Sequence, residues 1–144
     1  MRKVTATRII PATPTRIFDL LADPRRHSEF DGSGTVRAPR KAPHRLSLGA
    51  SFAMDMKAGF SYFVTNRVVV FELDRAIAWS HFGGYVWRYD LLEVDGGTRV
   101  TESFDYSVPA GLLIARTARP ENNRLAMEAS LRRIEELLTT TESS

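Results

Sequence analysis

Apolar and polar positions alternate near the start of the chain and then change to a helical spacing. Residues 4–10 have the alternation of a half-buried strand. Thr13 can cap a following helix with Pro14 at its first position, where the missing N–H of proline leaves no hydrogen bond unmade. A short helical turn is expected over residues 24–29 and a strand over residues 35–38. The chain therefore begins with a strand, two short helices and a second strand.

The alternation resumes at residue 51 and continues through a series of candidate strands. These strands are expected at residues 51–57, 62–72, 75–82, 84–94 and 97–107. Short turn segments separate them, as in a succession of antiparallel hairpins. The pattern predicts a curved antiparallel sheet that includes both of the earlier strands.

The last part of the chain has the period of an amphipathic helix. Four apolar residues recur at spacings of four, three and four and so share one face: Met127, Leu131, Ile134 and Leu138. We expect a helix over residues 120–138 whose apolar face covers the concave side of the sheet. Arg124 and Glu128 form an i,i+4 pair on its solvent side. Residues 110–118 are apolar enough for a further short helix, which Pro120 would separate from the long one.

If residues 95–96 form a two-residue turn, the strands at residues 84–94 and 97–107 place their aromatic side chains on one face of the sheet and polar side chains on the other. Trp87 then lies opposite Phe104, and Tyr89 lies opposite Glu102. A slip of one residue would mix polar and aromatic side chains on both faces. One face is therefore aromatic, and Glu102 is the single ionisable group in it.

The other hairpins extend this aromatic face. A two-residue turn at residues 73–74 places Val70 opposite Ile77. A three-residue loop at residues 82–84 brings Trp79 and Trp87 to the same face, and its glycines permit such a loop. The predicted concave wall consists of Val68, Val70, Ile77, Trp79, His81, Tyr85, Trp87, Tyr89, Glu102, Phe104 and Tyr106.

The composition is that of one folded domain without thiol chemistry. The chain has 144 residues, of which 43% are hydrophobic and none is cysteine. A single domain is expected over residues 1–138, followed by a disordered tail at residues 139–144. The lack of cysteine excludes disulfides, a thiol nucleophile and cysteine-ligated metals. His27, His44 and His81 lack the spacing of a zinc site, so we expect no metal and no cofactor.

The charge balance does not favour a nucleic-acid partner, because the chain has 20 lysine and arginine residues and 17 acidic residues, which gives a net charge of +3. The acid-free stretch over residues 32–54 has no aromatic residue in its basic part that could stack a base. Its basic residues are Arg37, Arg40, Lys41 and Arg45. No apolar run reaches the roughly 18 residues of a membrane helix, and no signal peptide is visible. We expect a cytoplasmic protein without a membrane span, and the pattern indicates no particular oligomeric state.

Four segments carry a resemblance to a known superfamily. They read IPATPTRIFDLLADP at residues 10–24, FDGSG at 30–34, WRYDL at 87–91 and GGTRVTESF at 96–104. In this order they resemble the START-related SRPBCC superfamily, in its polyketide cyclase/dehydrase and lipid-transport branch. The resemblance implies an α+β helix-grip fold: a seven-stranded antiparallel sheet curved around a long C-terminal helix, with a deep apolar cavity between them. It implies no shared catalytic residues, because the superfamily includes carriers, aromatases, cyclases and hydrolases.

Glu102 is the sharpest candidate for chemistry, because a carboxylate on an apolar face loses hydration. It must raise its pKa, find a hydrogen-bond donor or open onto a wet cavity. A hydrogen bond from Tyr89 or a loop arginine would make Glu102 structural, whereas contact with a polar ligand group or a general-base role would make it functional. His81 and Asp31 are secondary candidates. Ser33 lacks the glycine spacing of a nucleophile elbow and is expected to be conformational.

The main hypothesis is a binding site for a small hydrophobic or aromatic molecule, such as a lipid, a polyketide or a related metabolite. The expected ligand-binding residues are Trp79, His81, Tyr85, Trp87, Tyr89, Glu102, Phe104, Tyr106, Met127 and Leu131. The alternative is an enzyme of the cyclase or dehydratase type, in which Glu102 with Tyr89 or His81 moves a proton at an enolisable ligand. A third hypothesis is a regulatory or nucleic-acid-associated protein that uses the loop at residues 37–45.

Overall fold

The computed structural model describes residues 3–57, 59–81, 84–107 and 119–142, with side chains from residue 122 to residue 139 in the last range. The strands in these ranges are β1 (Lys3–Ile10), β2 (Val36–Lys41), β3 (Ser51–Lys57), β4 (Ser61–Glu72), β5 (Ala76–His81), β6 (Val86–Val94) and β7 (Gly97–Asp105). The helices are α1 (Pro14–Leu21), a 3-10 turn (Pro24–Arg26), α2 (His27–Phe30) and α3 (Arg119–Glu142). The strands form one antiparallel sheet in the order β1-β7-β6-β5-β4-β3-β2.

The long helix α3 packs across the concave side of this sheet. The four apolar residues of its predicted face are all buried: Met127, Leu131, Ile134 and Leu138. On the solvent side, Arg124 and Glu128 form the expected ion pair at 3.0 Å. The helix continues past Leu138 to Glu142. The disordered tail expected at residues 139–144 stays a prediction. The short helix predicted over residues 110–118 lies outside the described residues. The arrangement is the helix-grip fold, as expected.

The first helix forms for the reasons that its sequence suggested. The Thr13 side chain accepts a hydrogen bond from the Arg16 N–H at 3.3 Å, and Pro14 occupies the first turn. Buried residues on one side of α1 join the core, and Phe18 meets the ring of Phe71 edge-on at 5.3 Å. None of the helices in the described ranges is both long and apolar enough to cross a membrane.

The pairing of β5, β6 and β7 agrees with the predicted registers. Trp87 lies opposite Phe104, and Tyr89 lies opposite Glu102. Across the β5–β6 hairpin, Trp79 lies opposite Trp87, as the three-residue loop required. These pairings place an aromatic row across the concave face, with Glu102 at the next inward position beside it.

The predicted turn between β4 and β5 is wrong. The loop has three residues rather than two, since Glu72 pairs with Ala76. Asp74 adopts a left-handed conformation there, with φ 61. Aspartate tolerates this conformation better than most residues other than glycine, which explains why a loop without glycine can close in this way.

A bulge in β4 compensates for the extra loop residue. Between Val68 and Val70 the register shifts, so that Val68 still lies opposite Trp79. Val70 pairs with Ala78 instead of Ile77 and therefore leaves the concave wall to which it was assigned. Phe71 takes the place opposite Ile77 and packs on the core.

The turn at residues 31–34 is held tightly against α3. A Cβ atom on Gly32 would lie 2.0 Å from the carbonyl oxygen of Ala126, so only glycine fits at this contact. The Gly32 N–H donates to the Ser130 hydroxyl at 2.7 Å, and Arg133 donates to the Asp31 carbonyl. The turn and the helix therefore form one wall of the space beneath the sheet.

Candidate functional site

A cavity of about 810 Å³ lies between the concave face of the sheet and α3. Its lining includes most of the predicted ligand-binding residues: Trp79, His81, Tyr85, Trp87, Tyr89, Glu102, Phe104 and Met127. Tyr106 and Leu131 are buried in the core and do not line the described part of this cavity. The remaining walls come from apolar residues of α2, β3 and β4, among them Phe30, Phe52, Met54 and Val64.

Aromatic rings brace one another along the sheet side of the cavity. The ring centres of Trp87 and Phe104 are 4.4 Å apart, and those of Trp79 and Tyr89 are 5.8 Å apart. Tyr106 stacks on Phe104 from outside the cavity lining, at 5.7 Å. Packed rings hold their orientation, so the cavity presents fixed aromatic surface to an apolar guest.

Glu102 lies in this aromatic wall and is only 3% exposed. Burial raises the pKa of its carboxyl group well above the ordinary value; a hydrogen bond from Tyr89 opposes the shift, and the charge of Asp31 adds to it. No ion pair to Glu102 occurs among the described residues, and its Oε1 atom has no hydrogen-bond partner there. Burial therefore favours the protonated form of this carboxyl group, and one of its oxygens has no partner among the described residues.

Tyr89 completes a neutral polar pair with Glu102. Burial raises the pKa of the Tyr89 phenol well above its ordinary value, and the neighbouring Glu102 raises it further. Burial favours the protonated form of both groups, so the pair can bind a ligand by hydrogen bonds. Among the described residues, no loop arginine forms a hydrogen bond or an ion pair with Glu102.

A second polar pair stands further along the cavity. His81 on β5 lies opposite Asn66 on β4, and both side chains line the cavity. Burial lowers the pKa of His81 to about 4, so its imidazole is neutral at pH 7. Asn66 is 3% exposed, and its Oδ1 atom has no hydrogen-bond partner among the described residues.

His27 lines the cavity but is already engaged. Its Nε2 atom lies 2.8 Å from the Leu21 carbonyl oxygen, and its ring stacks on Trp79 with centres 4.9 Å apart. Burial lowers the pKa of His27, so the neutral ring donates to this carbonyl. The histidine therefore positions Trp79.

Asp31 also lines the cavity, yet its carboxylate organises the turn. It accepts hydrogen bonds from the N–H groups of Ser33, Thr35 and Val36 at 3.0 to 3.2 Å. The Ser33 hydroxyl donates to the same carboxylate at 2.7 Å. These contacts account for Ser33 as a residue of the turn and leave Asp31 little capacity for a ligand.

The family becomes clear when the fold and cavity are compared with known proteins. The sequence family described as polyketide cyclase / dehydrase and lipid transport matches residues 1–139. The chain belongs to this family. The match confirms the resemblance that the four sequence segments carried.

The curated relatives of this family member are longer than the chain. The uncharacterized protein Rv0088 of Mycobacterium tuberculosis is 36% identical over 139 residues, which cover 92% of this chain and 62% of the relative. The chain thus spans less than two thirds of the length of that relative.

Solved structures share the fold of this family member at low identity. Protein SA2116 of Staphylococcus aureus superimposes with a TM-score of 0.78 at 9% identity, covering 99% of this chain and 96% of that chain. Protein Ms6760 of Mycobacterium smegmatis gives a TM-score of 0.74 at 23% identity, covering 96% and 92%. At these identities the likeness establishes the helix-grip fold alone.

The family member shows no site of another kind in the part of the chain that the structure describes. No group of three histidine or acidic side chains there could hold a metal ion. In the basic segment, Arg40 pairs with Asp55 at 2.8 Å and Arg45 pairs with Asp19 at 2.9 Å. Carboxylates therefore neutralise two of the four basic residues of this segment.

The ligand-binding residues expected from the sequence omit several polar residues of the cavity lining, among them Asn66 and His27. Asn66 could have been found, since the alternation of β4 turns it inward opposite His81. His27 could not, because its burial depends on how the short helices pack against Trp79.

Proposed function

We propose that the protein binds a small hydrophobic or aromatic molecule in the cavity between its sheet and α3. The observation that carries the proposal is an aromatic cavity of about 810 Å³ with the buried Glu102–Tyr89 pair in its wall. Ligand pockets of this size are typically apolar with a few convergent polar groups. The membership in a family of polyketide cyclases, dehydrases and lipid-transport proteins supports a ligand of this class.

Native mass spectrometry followed by solvent extraction tests this proposal. Freshly purified protein should carry an apolar molecule in the native spectrum, and extraction should recover it. The matched control is the same protein unfolded in denaturant, stripped of small molecules and refolded, which should have lost the extra mass. Apolar fluorescent probes should bind the stripped protein. Failure of the fresh protein to carry a molecule and of the stripped protein to bind apolar probes would contradict the proposal.

A second candidate function is an acid-catalysed reaction of the same ligand. Glu102 favours it, because a buried carboxyl group with a raised pKa is suited to general acid catalysis. Tyr89 would be its partner; His81 lies on the other side of the Trp79–Trp87 pair, too far along the sheet to share a proton with Glu102. Turnover of the extracted molecule that disappears in Glu102→Gln while binding persists would establish this activity. We expect binding without turnover.

A further inference from the structure

Two buried oxygen atoms in the cavity wall have no hydrogen-bond partner among the described residues. They are Oε1 of Glu102 and Oδ1 of Asn66, and both side chains are 3% exposed. A buried polar atom without a partner destabilises the fold relative to a paired one. Both side chains line the cavity, so a guest molecule can supply the missing partners.

The two atoms belong to opposite ends of the aromatic wall. Tyr89, which pairs with Glu102, lies opposite Ile77 on β5, while Asn66 lies opposite His81 four residues further along the same strand. Four residues of a strand span about 13 Å at 3.3 Å per residue. The Trp79–Trp87 pair lies between these two positions. The cavity therefore has a polar group near each end and aromatic rings in the middle.

The described lining offers no charge that could hold an ionic headgroup. It contains no lysine or arginine. Burial keeps the His81 imidazole neutral at pH 7 and raises the pKa of the Glu102 carboxyl group, while the Asp31 carboxylate is occupied by the turn. An anionic ligand group would lose its hydration here without gaining a counter-charge, which is costly.

We infer that the ligand is an uncharged, elongated aromatic molecule with a carbonyl oxygen at the Glu102 end and a hydroxyl or N–H donor at the Asn66 end. The inference rests on the proposed function and names the chemistry that the same cavity selects. The carboxyl group of Glu102 donates a hydrogen bond to the carbonyl oxygen, Asn66 Oδ1 accepts one from the donor, and Trp79 and Trp87 contact the rings between them.

Three naphthalene probes test this inference by isothermal titration calorimetry at pH 7. The first, 6-acetyl-2-naphthol, has a carbonyl group at one end and a hydroxyl group at the other. Its methyl ether, 2-acetyl-6-methoxynaphthalene, lacks the donor. The third, 6-hydroxy-2-naphthoate, replaces the ketone with a charged carboxylate. We expect the naphthol to bind most tightly, the ether roughly tenfold more weakly, and the naphthoate at least as weakly as the ether.

The Asn66→Leu variant locates the donor end. It should remove the roughly tenfold difference between the naphthol and its ether, because the acceptor for the hydroxyl group is gone. The matched control is Asn122→Leu, an exposed position on α3 that does not line the cavity and should keep the difference.

Comparison of the probes on the unmodified protein needs no variant, so it decides the question even if Asn66→Leu fails to fold. Equal affinities for the naphthol and ether, tightest binding of the naphthoate, or no binding of any probe would overturn the inference. The extraction experiment judges the proposed function separately: an extracted molecule with a charged headgroup would leave that function standing and contradict this inference.

Discussion

Two carboxyl groups line the same cavity and differ in their surroundings. Asp31 lies on a partly exposed turn, where backbone N–H groups and the Ser33 hydroxyl donate to both of its oxygens. Glu102 lies in a wall of aromatic rings, with Tyr89 as its hydrogen-bonding neighbour and Oε1 without a partner among the described residues. The lone pairs of the first carboxyl group are used by its own turn, whereas burial favours the neutral form of the second.

The difference separates a carboxyl group that maintains the structure from one that is available to a ligand. A carboxylate whose lone pairs are used by its own turn contributes to folding. A buried acid with an unpartnered oxygen contributes little to folding and can bind a guest. The variants below are expected to affect stability on the Asp31 side of the cavity and binding on the Glu102 side.

Gly32→Ala should give the largest effect on stability. The new methyl group would overlap the Ala126 carbonyl, and the turn that Asp31 organises would separate from α3. We expect a loss of about 3 kcal/mol or more in the free energy of unfolding, measured by urea titration. Gly34→Ala is the matched control: it has open space but a left-handed φ of 72, so its cost should be about 1 kcal/mol. Equal losses would mean that the turn does not pack on α3.

Trp87→Ala should weaken binding more than any change on the Asp31 side. The ring packs 4.4 Å from Phe104 and is partly buried, so its removal should cost about 2 to 3 kcal/mol of stability and part of the aromatic wall. Affinity for an apolar fluorescent probe should fall by roughly tenfold or more under conditions where the variant remains folded. Arg132→Ala, at an exposed position, is the control. Equal responses of the two variants would show that the probe does not use this wall.

Asp31→Ala should destabilise the protein without changing the affinity of the folded form. Three backbone N–H groups lose their acceptor, so we expect a loss of about 2 kcal/mol by urea titration. Ser33→Ala removes a single partner of the same carboxylate and should cost about 1 kcal/mol or less. A loss of probe binding with unchanged stability would instead make Asp31 a ligand-contacting residue.

The β6–β7 hairpin and the β4–β5 hairpin show how far the sequence predicts this site. In the first, alternating aromatic and polar residues flank an Asp–Gly turn, so the pattern has one consistent register, and the placement of Glu102 beside Tyr89 is confirmed. In the second, a left-handed Asp74 and a bulge in β4 offset each other. The alternation of apolar and polar residues predicts neither the left-handed residue nor the bulge, because both depend on local backbone conformation.

The unpartnered oxygens of the cavity could not be predicted from the sequence. Whether Glu102 and Asn66 find partners depends on which side chains of other strands and helices come within about 3 Å of them. A loop arginine was one candidate partner for Glu102, yet Arg40 and Arg45 pair with carboxylates elsewhere. Pairing of this kind is a property of the packed structure rather than of any one segment.

The smallest change in side-chain shape, Glu102→Gln, tests the central claim that Glu102 is held as an uncharged acid. Its pKa in the folded protein is raised, so wild-type stability is fully present below the pKa of the unfolded chain and is lost as the pH rises toward the folded value. Glutamine does not titrate and should escape this loss.

The decisive measurement is the difference in the free energy of unfolding between Glu102→Gln and wild type, by urea titration from pH 4 to pH 8, with exposed Glu136→Gln as the control for general charge effects. At pH 4 the two proteins should be similar in stability. Above the usual glutamate range, the Gln variant should gain on wild type by up to about 1.4 kcal/mol per pH unit until the folded pKa is reached. A difference that stays constant with pH would show that folding does not raise the pKa of Glu102, and a gain of wild type as the pH rises would show that Glu102 is ionised in a structural ion pair. Either result would contradict the account.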